Sequence, residues 1–153
     1  MMGDSASRVI TEFRGAYAFL SNFYEAPMVF QGISYRNAEA AFQAQKCLTD
    51  EEKREFSELP PTKAKHKGRR VTLRPDWENV KVVLMEEVVR TKFTENEVLK
   101  ALLLATGDAE LQEGNTWNDT FWGVSSKTGK GKNTLGKILM KVRRELQQNT
   151  SES

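Results

Sequence analysis

Residues 35–46 read Tyr-Arg-Asn-Ala-Glu-Ala-Ala-Phe-Gln-Ala-Gln-Lys, and the reading of the chain starts there. Asn37 fits a helix N-cap, because its short side-chain oxygen can accept from a free N–H of the first turn. Glu39, Ala40, Ala41, Gln43, Ala44, Gln45 and Lys46 are good helix formers, which predicts a helix through about Leu48. Glu39 and Lys46 stand seven residues apart, hence on one face and about 10.5 Å apart along the axis. That is too far for an i, i+4 salt bridge. A helical lysine leans toward the N-terminus, here toward Glu39, and Gln43 sits midway. A small electrophilic carbon fits between the two. Charged residues on an alanine-rich helix are most often solvent-facing, so spacing alone leaves a surface pair and a reacting pair both open.

Upstream, 9–13 (VITEF) and 28–30 (MVF) read as short strands, and 17–24 as an irregular, aromatic-rich piece. Gly32 belongs in a turn before Tyr35. Downstream, a short helix is predicted over 50–59, stopped by Pro60-Pro61, and Thr62 caps another that ends at Gly68. The clearest helix spans 76–93, where Trp77, Val80, Leu84, Val88 and Val89 recur at three- and four-residue steps. Asn96 opens a helix over 98–105, with Val98, Leu99, Leu102 and Leu103 on its buried side. Residues 111–124 read as irregular or short strand, and 127–132 as a loop. A last helix begins near Asn133 with Leu135, Ile138, Leu139, Val142 and Leu146 as its apolar stripe. No internal repeat is visible. The sum is an α+β fold, a predominantly helical single domain with a small sheet. Its expected boundaries are a flexible N-terminus at 1–8, the domain at 9–147 and a disordered tail at 148–153.

Composition narrows the function classes. A chain of 153 residues fits one domain of ordinary size. Hydrophobic residues at 39% and charged residues at 29% are near soluble globular values. No apolar run approaches membrane-spanning length, and MMGDSAS lacks the basic flank and apolar stretch of a signal peptide. A cytoplasmic location is expected, or a nuclear one in a eukaryote. A single cysteine, Cys47, excludes a disulfide framework. With a single histidine, His66, it also excludes zinc-finger and zincin sites. No metal or cofactor is expected. The net charge of +2 says little, but 63–70 holds five basic residues and His66 without an acid. Residues 127–144 hold seven basic residues, again without an acid. Such stretches suit phosphates or a nucleic-acid backbone, although charge runs are more often solvated helix faces.

Three segments carry residues that folding alone does not require. In Leu20-Ser21-Asn22-Phe23-Tyr24, polar residues interrupt an apolar run, which fits an Asx turn or a ligand contact through Asn22 and Phe23. The second is the 37–46 stretch. The third is Asn118-Asp119-Thr120-Phe121-Trp122-Gly123 with the glycines after it. Large aromatics beside Asp119 and Gly123 suit a flat ring stacked over a pocket. Gly129 and Gly131 before Asn133 at a helix start could cradle a phosphate.

Taken together, these segments resemble the NADAR (YbiA-like) family. The matching stretches are FLSNFY at 19–24, Y-x-x-x-E-x-x-F-Q-A-Q-K at 35–46 and GRRVTLRPDWENVK at 68–81. They continue with KF at 92–93, LLLATGDAELQE at 102–113, NDTFWG at 118–123 and GKNTLGKILMKVR at 131–143. They cover roughly 13–146 in the family's order. One departure is Ala40, where the family usually has His after the glutamate. The resemblance implies an N-glycosidase, without metal or cofactor, that acts on ribose linked to an amine nitrogen. Its expected substrate is guanine in DNA or RNA, or in a nucleotide, carrying ADP-ribose on its amino group. A DarT-type toxin would be its counterpart. The alternatives are a phosphorylated ribosylaminouracil of riboflavin synthesis and a non-catalytic ADP-ribose-binding module. A plain DNA-binding protein is the weakest option. Carried over by motif, Glu39 and Lys46 are the expected catalytic residues, and Asn22, Arg69, Trp77, Asp119 and Trp122 the expected ligand contacts.

Overall fold

The computed structural model describes residues 8–152, which gather into two compact units. One is built from 22–97. The other combines the residues before Asn22 with those from Val98 onward.

The 22–97 unit begins with a hairpin. Strands β2 (Glu25–Phe30) and β3 (Ile33–Asn37) pair antiparallel, with Phe30 opposite Ile33 and Met28 opposite Tyr35. The two loop residues, Gln31 and Gly32, both have positive φ, at 50° and 85°. This is the tight turn whose twist matches the strands it joins. Alternate residues Ala26, Met28 and Phe30, and Ile33 and Tyr35, face inward. β3 passes directly into helix α1 (Ala38–Ala44), because Asn37 turns the backbone and its side chain accepts from Ala40 N at 2.7 Å. Every residue of α1 is buried, which explains its small, alanine-rich surface.

α1 stops at Ala44 rather than running to about Leu48. The N–H groups of Gln45, Lys46 and Cys47 each bond three residues back, to Phe42, Gln43 and Ala44, which tightens the chain out of the α-helix. The freed carbonyls of Gln45 and Lys46 accept from Arg74 instead. Helix α2 (Asp50–Arg54) opens on a capping box between Thr49 and Glu52. It is shorter than the expected 50–59. In α3 (Pro61–Gly68) the first helical position is taken by Pro61, so Thr62 is not the cap. Helix α4 (Trp77–Glu95) buries Trp77, Leu84, Met85, Val88, Val89, Lys92 and Phe93. α1 packs against α3, α4 and the hairpin.

In the other unit, β1 (Val9–Ile10) runs parallel to β4 (Glu110–Leu111), and β5 (Gly114–Asn115) parallel to β6 (Val124–Ser125). β1 covers only the start of the expected 9–13 strand. Residues 15–20 form a 3-10 helix, Gly15–Leu20. The expected small sheet is thus three separate two-stranded ladders among the described residues. Helix α5 (Glu97–Ala105) buries Leu99 and Leu103, but Val98 and Leu102, expected inside, are exposed, Val98 to 68%. Helix α6 (Thr134–Glu152) buries its whole predicted stripe, Leu135, Ile138, Leu139, Val142 and Leu146. It also continues to Glu152, through much of the expected disordered tail, since Gln147 and Gln148 sustain a helix. Ser153 and 1–7 lie outside the described residues.

Arg143 departs from the solvated basic face expected over 127–144. It is buried, and its guanidinium donates to Thr106 Oγ1 and Ala109 O, each at 2.8 Å. Gln147 adds a bond to the Gly107 carbonyl at 3.0 Å. These two side chains tie α6 to the carbonyls that follow α5, which lack helical partners of their own.

Candidate active site

The 35–46 stretch places Glu39 in the first turn of α1 and Lys46 in the tightened turn just past its end. Glu39 is only 8% exposed. Its N–H donates to the carbonyl of Asn22 at 3.0 Å, so the Asn22 turn satisfies a free donor at the helix start. Asn22 is buried too, with its amide donating to the Met85 sulfur of α4 at 3.3 Å.

One turn along α1, Gln43 Nε2 donates to Glu39 Oε2 at 2.7 Å. Gln43 is 7% exposed and its Oε1 has no hydrogen-bond partner. That oxygen packs against Gly68, where any Cβ would overlap it. Gly68 is therefore required by close approach rather than by its backbone angles. The same residue acts through its carbonyl, which accepts from Lys46 Nζ at 3.4 Å. Lys46 Nζ also lies 5.8 Å from the centre of the Trp77 ring, within cation–π range. Trp77 is buried and packs on Phe42, with ring centres 5.1 Å apart.

Burial lowers the pKa of Lys46 below that of free lysine. The Glu39 carboxylate opposes this, and the Arg69 guanidinium adds to it, with smaller effects from Cys47 and Lys81. A partly desolvated lysine with a lowered pKa has more neutral amine, the nucleophilic form, at neutral pH. A buried carboxylate held by a side-chain amide is a positioned proton carrier.

Glu39, Lys46, Asn22, Arg69 and Trp77 thus gather around α1 and the end of α3. Arg69 caps α3 and is exposed. Trp77 offers no open face for stacking and acts as the wall beside Lys46. Phe23 is 40% exposed, with Lys65 Nζ 5.8 Å from its ring centre. Gln43 was legible in the sequence only as the middle of the Glu39–Lys46 face. Gly68 was legible only as a helix end.

The other expected contacts belong to the second unit, where they have structural tasks. Asp119 Oδ1 accepts from the N–H groups of Phe121 and Trp122, at 3.1 and 2.9 Å. Gly123 admits the Glu113 carbonyl and the Asn115 amide where a Cβ would clash. Asn133 is buried, accepting from Glu113 N at 3.0 Å and donating to Leu111 O at 2.8 Å. Trp122 is half-buried and meets Phe121 edge-on, with ring centres 4.8 Å apart. Near the expected phosphate cradle of Gly129, Gly131 and Asn133, several backbone donors are engaged within the unit. The N–H groups of Lys132, Asn133, Thr134 and Leu135 already donate to the carbonyls of Thr120, Gly123, Phe121 and Trp122. These four donors are therefore not offered to an anion.

Among the described residues, no group of three or more His, Cys, Asp or Glu side chains is placed to hold a metal ion. No helix among them is long and apolar enough to cross a membrane.

Comparison with known proteins agrees with the motif reading. The NADAR domain model matches residues 11–147. The N-glycosidase YbiA of Escherichia coli is 41% identical over 133 residues, which covers 85% of this chain and 82% of that one. The riboflavin biosynthesis protein VVA0006 of Vibrio vulnificus is 38% identical over 137 residues, 86% of this chain but 36% of that longer one. The NMR structure of E. coli YbiA superposes with a TM-score of 0.81 at 36% identity, covering 95% of this chain and 92% of that one. The chain belongs to the NADAR family and is an N-glycosidase, a hydrolase of N-glycosyl bonds.

Proposed function

We propose that this NADAR-family N-glycosidase cleaves the bond between ribose C1 and an exocyclic amine, and that its substrate is guanine carrying ADP-ribose on its amino group. The observation that supports the reading is Lys46, with its lowered pKa, set within the electrostatic reach of Glu39 on one buried helix and the turn that follows.

An amine-linked ribose is a glycosylamine. Glu39 takes up the proton that Lys46 sheds and passes it to the ring oxygen, and the ring opens to an imine at C1. Neutral Lys46 adds to C1, and proton transfer through Glu39 lets the guanine amino group leave with the electrons of the C1–N bond. A protein-bound Schiff base remains. Water activated by Glu39 adds to C1, the C1–Nζ bond breaks, and the ribose ring closes as free ADP-ribose. The sum consumes one water and restores both side chains. In a competing course, Glu39 activates water directly against an oxocarbenium-like C1, and Lys46 binds a hydroxyl or phosphate. Exposed Arg69 supplies a guanidinium for the diphosphate.

A second reading keeps the chemistry and changes the base: a phosphorylated ribosylaminouracil. It is favoured by the name of the V. vulnificus relative, a riboflavin biosynthesis protein. The test is incubation of the wild type and Glu39→Gln with a guanine-ADP-ribosylated oligonucleotide, following released ADP-ribose by mass spectrometry. Release by the wild type alone supports the reading. No release by either moves the assignment to the ribosylaminouracil or to a binding module. Equal release by both removes Glu39 from the chemistry.

A further inference from the structure

Lys46 is carried by a turn rather than by a helix. α1 ends at Ala44, and the N–H groups of Lys46 and Cys47 bond only three residues back. The carbonyls of the turn are thereby freed from helical bonds and need other donors. A single segment, 68–77, meets the turn on both sides of the lysine. The Gly68 carbonyl accepts from Lys46 Nζ at 3.4 Å, and the Trp77 ring centre lies 5.8 Å from the same nitrogen. Between these two, Arg74 takes hold of the backbone. Its N–H donates to the Lys46 carbonyl at 3.0 Å, and its Nη1 donates to the Gln45 carbonyl at 3.4 Å.

The local sequence Arg74-Pro75-Asp76-Trp77 prepares that grip. Trp77 N donates to the Arg74 carbonyl at 3.2 Å, with Pro75 in second place and Asp76 at φ −94°, ψ 14°. These are the features of a type I turn. The turn folds Asp76 back on Arg74, whose Nε and Nη2 donate to the two carboxylate oxygens at 2.7 and 3.1 Å. Two parallel bonds fix the guanidinium plane and leave Nη1 for Gln45.

Asp76 gives a second sign of the same purpose. It stands at the N-cap of α4, where an aspartate side chain ordinarily accepts from a first-turn N–H. It makes no such bond, and its carboxylate goes to Arg74 instead. The pair is partly exposed, Arg74 to 27% and Asp76 to 48%, and exposed ion pairs add little to stability. What the fork contributes is orientation.

We propose that Arg74, oriented by Asp76, is a positioning residue for the reaction: it clamps the turn that carries Lys46 and so fixes the place and the burial of the amine. The inference rests on the reading of Lys46 as the reacting amine and deepens it by naming what holds that amine.

The test compares the wild type with Arg74→Ala, Arg74→Lys and Asp76→Ser, each checked for folding by its melting curve. Asp76→Ser removes the carboxylate but keeps a side chain suited to a helix start, so it tests the fork even where loss of Arg74 costs too much stability. Trace labelling with acetic anhydride across pH, read peptide by peptide by mass spectrometry, follows neutral Lys46 without any substrate. In every folded variant the Lys46 midpoint should move to higher pH, because a loosened turn lets water reach the ammonium. The midpoints of exposed Lys63 and Lys127 should stay in place. Arg74→Lys keeps the charge but not the fork, so it should not restore the wild-type midpoint. With a guanine-ADP-ribosylated oligonucleotide, kcat at neutral pH should fall by about tenfold or more, as a misplacement near 1 Å can cause. KM should hold, and the loss should shrink at higher pH. An unshifted Lys46 midpoint in the folded variants overturns the proposal, as does a kcat lowered equally at every pH, the mark of a merely structural role. A shifted midpoint with wild-type kcat throughout keeps the clamp and overturns Lys46 as the reacting amine.

Discussion

Gln43 donates to Glu39 Oε2 at 2.7 Å from one turn further along α1, and both residues are buried. The carboxylate is thereby fixed by a neutral donor that is itself wedged against Gly68. Gln43→Leu should lower kcat by about 10- to 100-fold, within the range that one positioned proton carrier contributes. KM should stay near the wild-type value, because Gln43 faces Glu39 rather than the ligand. Steady-state kinetics alongside a melting curve checks this. A kcat unchanged in a folded variant would mean that Glu39 needs no such support.

Gly68 carries the next prediction. An added methyl has no room beside the Gln43 amide, so Gly68→Ala should cost about 1–3 kcal/mol, the usual penalty of overpacking. In a Gln43→Ala background the same change should cost much less, because the obstructing amide is gone. Denaturant unfolding of the four proteins gives the coupling between the two positions. Additive losses would show that Gly68 is needed for another reason.

The electrostatics of Lys46 set a pH dependence. Burial lowers its pKa and Arg69 lowers it further, so activity should rise with pH as the amine loses its proton. Arg69→Met removes a neighbouring cation, raises the Lys46 pKa and should move the rising limb of kcat to higher pH. A pH–rate profile of Arg69→Met that overlays the wild type would contradict the role of neutral Lys46.

Lys92 makes stability depend on pH without touching the reaction. It is 2% exposed, and burial lowers its pKa to about 7. Between that value and the ordinary lysine value of about 10.4, the unfolded chain holds a proton that the folded chain has lost. Stability should therefore rise with pH across this window, by up to about 1.4 kcal/mol per unit, and the penalty should be complete below pH 7. Lys92→Met should flatten that slope. Unfolding measured from pH 6 to 10 in both proteins checks it.

Much of the frame was legible from short-range rules. Asn37 caps α1 because its side chain suits that place, Gly32 closes the hairpin, and the α6 stripe follows helical periodicity. Other features were not, because their causes lie far along the chain. α1 ends early since Arg74 claims the carbonyls of Gln45 and Lys46. Val98 sits in an apolar pattern but faces solvent, because α5 buries a narrower stripe than its leucines suggest. The capping box of Thr49 and Glu52 was there to be read as T-x-x-E. For the site, motif likeness singled out Glu39 and Lys46. The support beneath them is tertiary: nothing in KHKGRR marks Gly68 as the floor under Gln43. Asp119, Gly123 and Asn133 show the converse, polar and glycine residues whose described bonds shape their own loop.

Covalent trapping tests the pairing of Glu39 and Lys46 most directly. The protein is incubated with a guanine-ADP-ribosylated oligonucleotide and cyanoborohydride, digested, and the peptides weighed. The account predicts a reduced ribose adduct on Lys46, missing from Lys46→Met and greatly diminished in Glu39→Gln. Full turnover by the wild type with no adduct on Lys46 would contradict it, and would leave Glu39 acting on water alone.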